Sequence, residues 1–99
     1  MASIAAEMIR QALEAFATGN ADLSRQVLVA DDKVDGMNRE ILAAMNETIR
    51  ERRDLAPQAL DVLLIARNLE RIADHATNIA EDVIFWVRGA DVRHGSGKQ

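Results

Sequence analysis

From Leu23 to Val87 the apolar side chains recur in steps of four and three, and this period constrains the fold more than any other feature. Leu23, Val27, Ala30, Val34, Met37, Ile41, Ala44 and Thr48 form one series. Leu55, Ala59, Val62, Ala66, Leu69, Ala73, Ala76, Ala80, Val83 and Val87 form a second. A repeat near 3.5 residues gathers such side chains on one stripe of an α-helix, and it marks helices packed nearly in line. Nothing alternates with the period of two that a half-buried strand requires. The breaks are Gly19-Asn20 and Gly89, and Pro57 is the only proline. The expected fold is all-α: an antiparallel three-helix bundle of the spectrin-repeat kind, with one shorter and two long helices. It forms a single domain over 1–99, with helices at about 3–18, 22–52 and 55–88 and a frayed tail over 89–99.

The first helix places Ala5, Ile9, Ala12 and Phe16 on one face, with Met8 and Leu13 beside them. Gly19 suits the position just past a helix end, and Asn20 or Asp22 suits the cap of the next helix. Asp54 and Pro57 belong in a helix first turn, where a negative charge is favoured and a missing N–H costs nothing. Ile65, Ile72, Ile79 and Trp86 add a second apolar row on the third helix, wide enough to meet another helix. Trp86 is accordingly expected in the core or in a dimer interface.

Alanine supplies much of the apolar 48%, and aromatic residues are only 3%, so the core should be close-packed but thin. A domain of 99 residues is marginally buried alone, which favours self-association. With 12 basic and 16 acidic residues and no basic run, the chain lacks the clustered positive charge that nucleic acid demands. The absence of cysteine excludes a disulfide framework and thiolate metal sites. The opening "MASIAAEMIRQ" lacks the basic start and apolar run of a secretory signal. No apolar run approaches the ~20 residues of a membrane span. A cytoplasmic protein without direct membrane insertion is the expectation.

Polar residues also keep helical register. In "DDKVDGMN", Asp31, Asp35 and Asn38 each follow a seam residue by one position, as do Glu70, Asp74, Thr77 and Glu81 on the third helix. In a hairpin turning near Arg53-Asp54, with its centre at about 54.5, Asp35 stands level with Asp74, Asp31 with Asn78, and Arg39 with Glu70. The two acidic rows therefore lie at matching height. If they share a groove, four carboxylates converge, and like charges about 4 Å apart cost ~4 kcal/mol at an effective dielectric near 20. Protonation, the arginines Arg39 and Arg71, or a bound cation would relieve that repulsion. An all-oxygen ligand set suits Mg²⁺, Ca²⁺, or carboxylate-bound iron or manganese. The alternative is a solvated acidic face neutralised by arginine.

The segment "ARNLERIADHATNIAEDVIFWVRGADVRH", together with "DDKVDGMN", closely resembles the PhoU family of phosphate-transport regulators. The resemblance runs through essentially the whole chain and is sharpest from Ala66 to His94. It implies an α-helical protein built from two three-helix repeats, each with an E/D-x-x-x-D pair on facing helices. The pairs here are Asp31/Asp35 and Glu70/Asp74, with Asn78 and Glu81 at neighbouring polar positions, and with Asn38 and Thr77 as further ligands or supports. The resemblance implies metal cations, as multinuclear iron or zinc in some members and as manganese or magnesium in others. It also implies two partners, the ATPase subunit of the phosphate ABC transporter and the phosphate-sensing histidine kinase. One repeat is present, similar to the C-terminal half of the family, and a homodimer would restore the second.

Other polar residues point elsewhere. His75 projects about 100° from the acidic row, the turn of one helical residue. Gly36 either permits a close approach beside the acids or is merely tolerated. A di-metal carboxylate enzyme of the ferritin type needs Glu-x-x-His motifs, but Ile72 and Asp91 stand three residues before His75 and His94. The expectation is a non-enzymatic, metal-binding adaptor. The competing reading is a self-associating bundle with no metal site.

Overall fold

The computed structural model describes the backbone of residues 1–97 and the side chains of residues 1–89. Three helices account for nearly all of it: α1 (Ala2–Thr18), α2 (Ala21–Glu51) and α3 (Ala56–Gly97), with a short 3-10 turn at Arg53–Leu55. No strand occurs among the described residues. The all-α bundle expected from the apolar period is the observed architecture.

Each connection is dictated locally. Gly19 adopts φ 67°, left-handed backbone open to a residue without Cβ, and its N–H bonds to the Ala15 carbonyl. Asn20 is the cap that α2 uses: its side-chain oxygen accepts the Leu23 N–H at 3.0 Å. Asp22 adds charge in the first turn. Between α2 and α3 the chain reverses through Arg52, whose guanidinium is tied to Asp54. Pro57 then occupies the first turn of α3, as expected.

The end of α3 differs from expectation. The helix passes Gly89 and continues to Gly97, beyond the boundary at 88. Gly89 has no positive φ. A glycine that keeps helical backbone costs ~1 kcal/mol relative to alanine but does not by itself end a helix. His94 lies outside the residues whose side chains are described.

Met8, Ala12, Val27, Val34, Ala73, Ala76 and Ala80 form the core, with Met1, Ile4, Ile9 and Ile79 packed against it. On α3 it consists of alanines, which lets the helices approach closely and buries little area per side chain. The molecule is a rod of 69 × 18 × 14 Å. α1 has 17 residues and α2 has 31, so α1 reaches about 25 Å along a hairpin arm of about 46 Å. Ser3 near the start of α1 lies against the same groove as Lys33. Among the described residues, α1 packs on the half of the hairpin that holds Val27, Val34, Ala73 and Ala80.

Candidate functional site: an acidic trough between α2 and α3

The 3.5-residue seam sets the rotation of both long helices. Val34 and Ala73 are fully buried, so Asp35 and Asp74, one residue later, emerge at the edge of the same interface. Asn38 Nδ2 donates to Glu70 Oε2 across that edge at 2.9 Å. This bond shows directly that the polar rows of the two helices share one side of the hairpin. Glu70 takes this bond from Asn38, not from Arg39, the residue level with it by sequence height.

Asp31 is the electrostatic centre. Burial pushes its carboxyl above the usual range, and the charges of Asp35, Asp74, Asp32 and Glu70 add to the shift in that order. Its Oδ1 is inaccessible to solvent and has no hydrogen-bond partner. Such a carboxylate oxygen is costly unless proton or cation compensates it. Neither Arg39 nor Arg71 forms an ion pair among the described residues; the ion pairs present join other side chains.

The remaining residues are placed as follows. Thr77 is nearly buried, and its hydroxyl donates to the Asp74 carbonyl at 2.8 Å, so it closes a local turn at the trough floor. Asn78 and Glu81 are exposed one turn and more beyond Asp74. Among the described residues no side-chain hydrogen bond ties either of them to the acidic set. His75 is exposed. A Cβ at Gly36 would meet only Arg39 Nη2, at 3.9 Å, so Gly36 is tolerated and serves no close approach. Asp32, next to Asp31 in "DDKVDGMN", lies outside the set assigned from sequence, yet its charge also acts on Asp31.

The donor chemistry fits a hard cation: carboxylates, an amide oxygen and no sulfur. The spacing does not fit as the side chains stand. Among the described residues, no three His, Asp or Glu side chains are grouped closely enough to hold an ion. Ligation requires Asp31, Asp35, Glu70 and Asp74 to rotate inward. Of the two places expected for Trp86, core or dimer interface, it does not take the core: it is 60% exposed and packs on Phe16 with ring centroids 6.4 Å apart.

The "PhoU domain" family model matches residues 1–83, a span holding both acidic rows and the whole α2–α3 turn. The chain belongs to the PhoU family. It is 42% identical over 88 residues to a phosphate-specific transport system accessory protein PhoU homolog of Pseudomonas aeruginosa, covering 89% of this chain and 36% of that protein. It is 37% identical to PhoU homolog 1 of Thermotoga maritima, over 88% of this chain and 38% of the relative. The PhoU protein of Escherichia coli is 34% identical over 97 residues, covering 94% of this chain and 39% of that protein. The chain thus spans little more than a third of the length of the PhoU relatives it matches. No solved structure matches it. Among the described residues of this PhoU domain, no helix is long and apolar enough to cross a membrane.

Proposed function

We propose that this PhoU domain is a non-enzymatic regulator of phosphate uptake and of phosphate-starvation signalling. It acts as a cytoplasmic adaptor for the phosphate ABC transporter ATPase and the phosphate-sensing histidine kinase. The observation that carries this reading is the family match across the acid-bearing segment. The names of the relatives, phosphate-specific transport system accessory proteins, supply its direction. In this reading Asp31, Asp35, Glu70 and Asp74 hold one or more cations, of iron, zinc, manganese or magnesium. Asn38, Thr77, Asn78 and Glu81 orient or extend that set.

The unpaired Asp31 oxygen supports the cation. Its neutralisation would relieve the burial cost and the added repulsion that together raise the Asp31 carboxyl. A bound cation would also clamp α2 to α3. The reading includes association into a homodimer, which would bury more surface on a domain this small. The test is surface plasmon resonance of the chain against the purified ATPase subunit and the sensor kinase, with and without Mn²⁺ or Fe²⁺. Binding strengthened by cation is the expected result. Absence of signal for both partners under all conditions defeats the adaptor reading and leaves a plain structural bundle.

A further inference from the structure

Among the described residues, a single side-chain hydrogen bond joins two different helices, the one from Asn38 Nδ2 to Glu70 Oε2 at 2.9 Å. Every other side-chain hydrogen bond links residues no more than four apart. The ion pairs are equally local. The polar fastening of α2 to α3 therefore rests on one amide and one carboxylate, both half-buried. A hydrogen bond to a charged group is the stronger kind, and partial burial shields this one from competing water.

The bond also sets Glu70 apart from the other acids. The carboxylates of Asp31, Asp35 and Asp74 take no side-chain hydrogen bond and no ion pair among the described residues, so Glu70 is the one of the four that is tied. Of the charges acting on Asp31, that of Asp35 comes first and that of Asp74 second. Glu70 comes last, behind Asp32, which is no member of the proposed set. No three acidic side chains among the described residues are grouped closely enough to hold an ion. An amide N–H donates to a carboxylate but cannot ligate a cation. As the side chains stand, Asn38 competes for Glu70.

We infer that Asn38 is a latch: its amide holds Glu70 apart from Asp31, Asp35 and Asp74 in the cation-free protein, and Glu70 joins them only by giving up that bond. This role rests on the reading of the four carboxylates as a cation set, and it makes Asn38 a positioning residue that acts through Glu70. A ligand or a support at position 38 would strengthen cation binding, whereas a latch opposes it. The two long helices are then fastened in two mutually exclusive ways, by the amide without cation and by the carboxylates with it. Apparent affinity falls with the fraction of molecules in which a site is open, so the latch sets the cation level at which this site fills.

The test is isothermal titration calorimetry of the chain with Mn²⁺ alone, beside thermal melts in metal-free buffer. Asn38→Ala should bind Mn²⁺ about tenfold more tightly than the wild type, the lower end for release of one hydrogen bond to a charged group. Its metal-free form should melt lower. Loss of a merely structural side chain would weaken both. Asn38→Gln, which keeps an amide donor, should fall between the wild type and Asn38→Ala. In a Glu70→Ala background the gain from Asn38→Ala should vanish, because the latch has nothing to hold. Asn46→Ala, at an exposed position about two turns further along α2, should leave both measurements unchanged. Mn²⁺ bound by Asn38→Ala no more tightly than by the wild type overturns the latch and leaves the cation set standing. A gain that persists without Glu70 overturns it as well. No heat of binding and no shift in melting temperature in either protein overturns the latch together with the cation set.

Discussion

Replacing Asp31 with asparagine should stabilise the cation-free protein. The amide would keep the shape of the side chain and remove a charge that burial and four neighbouring carboxylates oppose. Unit charges about 10 Å apart at an effective dielectric near 20–30 interact by roughly 1–2 kcal/mol before screening. Salt with a Debye length of ~8 Å removes much of that, so the net gain is put at about 1 kcal/mol. For a domain of this size that corresponds to a rise in Tm of about 4–8 °C. The sign of the pH dependence follows from the direction of the shift. Asp31 takes its proton at a higher pH folded than unfolded, so between those two values the folded state binds more protons. Stability attributable to Asp31 therefore falls as pH rises through that window and stays lower above it. The advantage of Asp31→Asn should be full at pH 7 and vanish as pH drops below the ordinary aspartate range. Thermal melts by circular dichroism in metal-free buffer at several pH values read this directly. Added Mn²⁺ should raise the Tm of the wild type and do less for Asp31→Asn, because a ligand held only by the folded state stabilises it. An Asp31→Asn protein that melts at or below the wild-type temperature at pH 7 without metal would refute the reasoning, for it would mean the carboxylate is already satisfied.

Two further substitutions probe the scaffold. Gly36→Ala should raise stability by up to ~1 kcal/mol, because the added Cβ meets only an arginine tip at ordinary contact distance and the helix gains propensity; a lower denaturation midpoint would argue for a backbone approach at Gly36 that the structure does not contain. Ala73→Leu should cost about 1–3 kcal/mol, since Ala73 is fully buried between close helices and extra methylenes force the core apart; chemical denaturation with an unchanged midpoint would show that this core is looser than its alanines suggest.

The height of the trough is legible in the sequence because it follows from counting along one repeat, whereas the Asn38–Glu70 bond is what puts the two rows on one side. Counting outward from the α2–α3 turn sets Asp35 beside Asp74, and the seam residues Val34 and Ala73 fix which way those acids point. The contact from Asn38 to Glu70 rests on the same logic, displaced by one residue from the pairing of Arg39 with Glu70, because a helix turns 100° per residue and sequence height ignores which neighbour leans inward. Trp86 stays outside the core, one of its two expected places, for a related reason. Its position continues the second apolar row of α3, yet α1 presents Phe16 at only one side of it, and an aromatic ring at the margin of a thin core stays largely exposed.

By itself, then, the sequence determined an all-helical hairpin, a break at Gly19 with a cap at Asn20 or Asp22, and two acidic rows at matching height, because each depends on spacing along one chain. Only the tertiary structure decided that the Asp31 oxygen is buried without a partner. It alone also decided that Glu70 bonds to Asn38 rather than to Arg39. Burial and contact depend on which surfaces of separate helices meet, and periodicity along any one helix carries no record of the neighbour it faces.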